Sequence, residues 1–324
     1  MAETLRRVIP WLDGAMLAVL ALMPVIAGAA GQAFWLDLAT RLVILAIAAA
    51  SLNIILGYGG LVSFGHAAFL GIGAYAAGIP IYHSIYGGAP WLASDSGLFH
   101  FALAIGAGAL FALVTGFLSL RTRGVYFIMI TMAFGQMVYY LLESLETYGG
   151  NDGLTLDARS RLPGINLDDP KQLYWLAFAV LLAVIGLTWR LSRARFGLAL
   201  AGAKANAARM AALGYDTARI RLAAYVLAGA IAALAGALMA NFSAFISPAM
   251  SSWPHSGELM FMVILGGAGR LAGPVLGAAL FVLLEEILSS VTIYWHLPFG
   301  ALLIAAALWQ AGALNRQGAR EPAS

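Results

Sequence analysis

The chain has no cysteine in its 324 residues, which excludes disulfides, thiolate nucleophiles and cysteine metal sites. It is short of charge as well. Its 18 basic and 15 acidic residues make up 10% of the whole, against about 25% in an ordinary soluble domain. That is too little to cover a water-soluble surface of this length or to solvate a disordered chain. The net charge of +3 is no sign of nucleic-acid affinity, because the position of the charges matters more than their sum. Catalytic signatures are also missing. There is no GxxxxGK[ST], so this chain carries no P-loop for ATP. There is no HExxH, and the His-Ser-Gly-Glu string at 255–258 lacks the second histidine of a helical zinc site. Neither S-x-x-K nor G-x-S-x-G occurs. The five histidines do not pair within a span, which argues against haem ligation. An intramembrane hydrolase or redox enzyme therefore finds little support.

What is present is apolar. Residues of the AVILMFWYC set make up 62% of the chain, in long unbroken runs rather than the alternating segments of about ten residues that mark a membrane barrel. The fold class is therefore all-α, a polytopic transmembrane helical bundle. The runs give about ten spans, near 12–31, 41–57, 67–86, 100–120, 124–145, 173–190, 220–241, 257–269, 271–290 and 297–313. The eighth is short enough for a half-helix or re-entrant piece. The first reads as an uncleaved span, the alternative being a signal peptide. With the N-terminus in the cytoplasm, threading ten spans puts all 18 basic residues inside except Arg41, Arg159, Arg161 and Lys171. This agrees with the positive-inside rule and places both termini in the cytoplasm. The chain is read as a single transmembrane domain over 1–324.

Two loops are long. Residues 146–172 are expected outside and carry Asp152, Asp157, Asp168 and Asp169. Residues 191–218 are expected in the cytoplasm, with an alanine-rich, proline-free helix from Leu198 to Leu213 and Gly214 as its C-cap. Leu200, Ala203, Ala207, Met210 and Leu213 would share one face of it. Composition leaves two readings open, a helix lying on the inner leaflet and a docking helix for a cytoplasmic partner.

The spans are nearly bare of ionisable groups, unlike those of ion-coupled transporters. Glu143, Glu258, Glu285 and Glu286 fall near span ends, where carboxylates meet headgroups or water. Glu258 also suits the N-terminal dipole of the eighth span. Glycine clusters at 57–60, continuing to Gly65, Gly71 and Gly73, and again at 266–269, continuing to Gly273 and Gly277. Such paired interruptions fit a translocation site; tight turns and close packing explain them equally. The seventh span carries small residues every four positions, Ala228, Ala232, Gly236 and Ala240, with Gly229, Ala233 and Ala237 beside them. That pattern predicts a buried helix or a subunit interface.

Several strings resemble one family. SLNIILGYGGLVSFGHAAFLGIGAYAAG at 51–78 is similar to the signature region of the permeases of branched-chain amino acid ABC importers. RTRGVYFIMITMAFGQM at 121–137, WPHSGELMFMVILGGAGRLAGPVLGAALFVLLEE at 253–286 and GGNDGL at 149–154 resemble the longer, M-type permease subunit. FGLALAGAKANAARMAALGYD at 196–216 looks like the cytoplasmic coupling loop. The resemblance runs from about 40 to 312. It departs from the family at 204–207, where Lys-Ala-Asn-Ala stands in a region that often carries an acidic residue.

The resemblance implies a transport subunit, not an enzyme, in a prokaryotic plasma (inner) membrane, with a fold closer to the cobalamin type of importer than to the maltose type. The implied partners are a second, H-type permease, two cytoplasmic P-loop ATPases that bind ATP and magnesium, and an extracytoplasmic substrate-binding protein. No cofactor is expected in this chain. The implied coupling contact is Ala203, Asn206, Ala207, Met210, Gly214 and Tyr215. For the translocation path the expectation is Asn53, Tyr58, Ser63, His66 and Gly71 at the first glycine turn, with Glu258, Gly266 and Gly267 from the second. Urea and short amides are the rival substrates. A stand-alone secondary transporter or channel is the rival mechanism, and a membrane scaffold the remaining class.

Overall fold

The computed structural model describes residues 14–25, 27, 32–122, 124–292, 294 and 296–301. These fall into two compact units that divide between Ala278 and Ala279. The first holds helices α1 (Gly14–Val25), α2 (Ala33–Asn53), α3 (Ala67–Tyr86), α4 (Gly97–Ser119), α5 (Val125–Glu143), α6 (Pro170–Arg193), α7 (Arg195–Ala205), α8 (Ala207–Ala212), α9 (Thr217–Ser243) and α10 (Trp253–Gly266). Helix α11 (Gly273–Val291) begins in the first unit and ends in the second. In the second unit the Phe281 and Phe299 rings meet edge to face, 5.2 Å between centroids.

Among the described residues, seven helices are long and apolar enough to cross a membrane: α2 with its continuation to Tyr58, α3, α4, α5, α6, α9 and α11. Helix α10 has 14 residues, about 21 Å of helix against a hydrocarbon core of about 30 Å. It starts earlier than its apolar run because Pro254 suits a first turn, where no backbone donor is needed. Helix α2 starts eight residues before the expected 41. Asp37 is exposed and Arg41 half-buried, so these charges ride within its second and third turns instead of ending it. Most of the expected tenth span, 297–313, lies outside the described residues.

Helix α9 is central and packs against α4, α3 and α2; α2 also packs against α6. In its most apolar window α2 is 83% buried, whereas α4 and α5 are 28% buried, although α4 is the more hydrophobic. Hydrophobicity cannot sort helices in lipid, where core and surroundings are equally apolar; side-chain size does. Helix α2 buries Ala46, Ala48, Ala49 and Ala50, and α9 buries Ala228, Ala232, Ala233 and Ala237. Helix α4 keeps Leu110, Leu113, Val114 and Phe117 outside. The crossing of α3 and α9 is glycine-cut from both sides. A methyl on Gly73 would stand 2.6 Å from Ala233 Cα, and one on Gly236 would stand 2.8 Å from Leu70 Cα.

The long loop after α5 is folded. It pairs β1 (Leu154–Thr155) with β2 (Phe245–Ile246), antiparallel, with Leu154 opposite Ile246. Ser160 N–H donates to Asn241 Oδ1 of α9 at 2.8 Å, and Ser160 Oγ shares a hydrogen bond with His100 Nδ1 of α4 at 2.8 Å. A polar cavity of about 580 Å³ lies within the loop, beside Arg159, Arg161, Asn166 and Asp168.

Candidate functional site

The two glycine clusters meet. Helix α2 widens at its end into a π-turn, Ile54–Tyr58, a form of helix often found at functional positions. Leu61 N–H reaches back to Ile55 O at 2.8 Å, and Gly60 takes a left-handed φ of 68°. The turn between α10 and α11 lies against this π-turn. Asn53, at the last residue of α2, donates from Nδ2 to Arg270 O at 2.9 Å and accepts from Gly269 N–H at 2.8 Å on Oδ1. An asparagine amide offers one donor and one acceptor group, so it can bridge an N–H and a C=O of a crossing chain. Asn53 is 1% exposed. Only glycine fits at 57, because a methyl there would stand 2.9 Å from Gly269 Cα and closer still to the Asn53 amide.

A second fastening sits at the far end of the same segment. Ala67 N–H, opening α3, donates to Ser256 Oγ of α10 at 3.0 Å. Beside it, Ser51 Oγ and His66 Nε2 share a hydrogen bond of 2.8 Å, with both residues fully buried. His66 lies one residue before the α3 span. Burial pushes its imidazole down to about 3, so it is neutral at physiological pH. Segment 59–66 is thus tied at one end to the turn after α10 and at the other to α10 itself.

The loop at 191–218 forms two helices where one was expected. Asn206 adopts an extended backbone, φ −158° and ψ 98°, and its side chain caps α8 by accepting from Arg209 N–H at 2.9 Å. An asparagine inside a helical pattern competes for the backbone in this way. The expected single face is therefore broken. Leu200 and Ala203 are buried, Leu213 is exposed, and Met210 folds over Gly202. The C-cap of α8 is Leu213, not Gly214 as expected, and Gly214 follows it with φ 85°; Asp216 caps α9 through Arg219 N–H at 3.1 Å. Tyr215 is exposed. Lys204, in the last turn of α7, reaches Gly57 O at 2.7 Å. Arg221 Nη2 of α9 donates to Ala203 O at 2.8 Å.

Of the residues expected along the path, Asn53 thus joins the two glycine turns directly. Gly266 packs against Gly273 and Gly277, and Gly267, at φ 93°, forms the turn. Gly71 packs on Ser251 Oγ. Ser63 is buried. Tyr58 faces a small crevice between α6 and α7, with Thr188, Leu191 and Leu200. Glu258 lies about 12 Å along α10 from Gly266, with His255 at 4.0 Å, so the structure separates it from the glycine turn. Sequence reasoning missed Ser51, Ser256, Gly269 and Arg270 as partners, and Lys204 as an anchor. A lone lysine among alanine and glycine was the available signal for the last.

This arrangement defines a polytopic helical membrane protein whose two glycine turns interlock. A family model described as branched-chain amino acid transport system / permease component matches residues 34–307, and the chain belongs to that family. It is similar to the high-affinity branched-chain amino acid transport system permease protein LivM of Escherichia coli, at 29% identity over 85% of this chain and 68% of that protein. It is also similar to LivM of Salmonella typhimurium, at 28% over the same shares. A probable branched-chain amino acid transport permease protein, LivH of Methanocaldococcus jannaschii, is 28% identical over 40% of this chain and 39% of its own length. No solved structure matches the chain.

Proposed function

We propose that this chain is the M-type permease subunit of an ATP-driven importer for branched-chain or related amino acids. The observation that carries the reading is the likeness to LivM, a branched-chain amino acid permease, over 85% of the chain. In this reading the chain crosses an inner membrane about ten times, with both termini in the cytoplasm. It lines a path with an H-type permease, in a fold resembling the cobalamin type of importer. Two P-loop ATPases bind beneath, and a substrate-binding protein delivers from outside. The scarcity of ionisable groups inside the spans supports an energy source in separate chains, since ion coupling needs intramembrane ligands. Residues 191–218 serve as the coupling loop, with Ala203, Asn206, Ala207, Met210, Gly214 and Tyr215 at the contact. Asn53, Ser63, His66, Gly71, Gly266 and Gly267 border the path, and Tyr58 and Glu258 flank it.

Gentle purification through a C-terminal tag tests this. The reading expects a second permease and two ATPases near stoichiometry. In liposomes, ATP should drive uptake of leucine, isoleucine or valine presented on a binding protein. Uptake of urea or short amides instead would change the substrate class. Transport by the chain alone, without ATP, would overturn the mechanism.

A further inference from the structure

We infer that Lys204 is a positioning residue that ties the cytoplasmic helix pair α7–α8 to the crossing of the two glycine turns. The inference rests on the coupling role proposed above for that loop.

Helix α2 has no basic residue in its own last turn, and the π-turn leaves carbonyls at a helix end that no further turn can satisfy. Such an end carries partial negative charge and favours a cation. Lys204 supplies that cation from 147 residues away, with Nζ on Gly57 O at 2.7 Å. The approach depends on glycine. The lysine stem lies over Gly60, where a methyl would stand 2.8 Å from Lys204 Cγ. On its other side Gly57 packs on Gly269, which Asn53 holds. One residue of the cytoplasmic loop thus touches the π-turn at the point where that turn presses on the α10–α11 turn. The end of α7 has a second fixed neighbour, because Arg221 of α9 holds Ala203 O. A force on α7–α8 therefore has a direct route to the glycine crossing through this charge-assisted hydrogen bond, beside the packing of Leu200 near Ile54 and Tyr58 of the π-turn.

The absence of cysteine allows a direct test in the complete transporter. Lys204→Cys places the only thiol in this chain. An aminoethyl methanethiosulfonate reagent then rebuilds an ammonium on a stem of nearly lysine length, and a methyl reagent rebuilds the stem without charge. The readout is substrate taken up per ATP hydrolysed in liposomes, with wild-type complex treated in parallel. The expected result is a fall of about fivefold or more for Lys204→Cys, the lower end of coupling between sites, reversed by the aminoethyl reagent and not by the methyl reagent. Lys204→Met keeps the stem over Gly60 and should show the same fall if Lys204→Cys does not assemble. An unchanged ratio in either assembled variant, or equal rescue by both reagents, would overturn the inference. If the wild-type complex shows no ATP-dependent uptake, the importer reading itself fails, whatever Lys204 does.

Discussion

Adding one methyl group should have opposite effects at two kinds of glycine in this bundle. At Gly73 the new carbon would lie 2.6 Å from Ala233 Cα, and at Gly236 2.8 Å from Leu70 Cα. Ordinary contact starts near 3.4 Å, so α3 and α9 must part by more than about 0.8 Å (3.4 less 2.6) or 0.6 Å (3.4 less 2.8), because the carbonyl oxygens of Ala233 and Leu70 lie closer to the added carbon than those Cα atoms. The obstacle is backbone in both cases, and no rotamer relieves it. Overpacking of this kind costs about 1–3 kcal/mol, which for a chain of this size lowers the melting temperature by about 2–8 °C. Gly106 in α4 and Gly186 in α6 are helical glycines with nothing within 4 Å of the added carbon. Alanine there meets no obstacle and gains helix propensity, up to about 1 kcal/mol. The assay is the fraction of detergent-purified chain that stays monodisperse after heating. Gly73→Ala and Gly236→Ala should melt below wild type, and Gly106→Ala and Gly186→Ala at or above it. A Gly73→Ala protein melting within about 1 °C of wild type, or a Gly106→Ala protein damaged as badly, would refute the packing argument.

Three further outcomes follow from the site. Asn53→Ala removes a donor and an acceptor from the glycine crossing. At about 1–3 kcal/mol for each buried group left without its partner, it should lower the melting temperature at least as far as Gly73→Ala; a neutral effect would show that the crossing does not depend on Asn53. His66 has its folded pKa lowered from 6.5 to about 3, so the unfolded chain binds a proton that the folded one refuses. Stability should be full above about pH 6.5 and decline as the pH falls from there towards 3. Melting curves between pH 7.5 and about pH 5 should show a shallower decline for His66→Gln; an identical slope would exclude His66 as the source. Gly214 has space around it but a φ of 85°, so the constraint is conformational, about 1–2 kcal/mol for an ordinary L-residue. Gly214→Asn should keep uptake per ATP near wild type and Gly214→Val should lower it, while equal behaviour would mean that the left-handed turn does not set the coupling contact.

Much of the bundle was legible because long apolar runs have few alternatives in a membrane. The run at 67–86 coincides with α3, and α4, α5, α6 and α9 begin and end within three residues of their expected limits. The start of α2 was not legible, since the expected span began at Arg41 and the structure carries that residue in the third turn of the helix. The small-residue stripes of the seventh span correctly marked α9 as buried, because close approach needs missing side chains. Its partners, α3, α4 and α2, could not be named, since the matching glycines lie far away in the chain. The break at Asn206 was masked by alanine, whose propensity favours one continuous helix until a capping side chain competes. Both glycine clusters stood out, and Asn53 was singled out beside the first. Their contact was illegible, because Asn53 selects backbone groups at 269 and 270, and backbone groups leave no mark on sequence.

The Asn53 bridge also sets a timetable. Its partner at Gly269 is made 216 residues later, and at about 5–20 residues per second a ribosome needs about 10–40 s to reach it. During that interval α2 is complete, with a polar amide at its last residue that has not yet met its mate. The nascent chain must therefore keep this helix provisionally hydrated or sheltered until α10 and the turn after it emerge. The end of synthesis, not the insertion of the early spans, is the moment at which this bundle can lock.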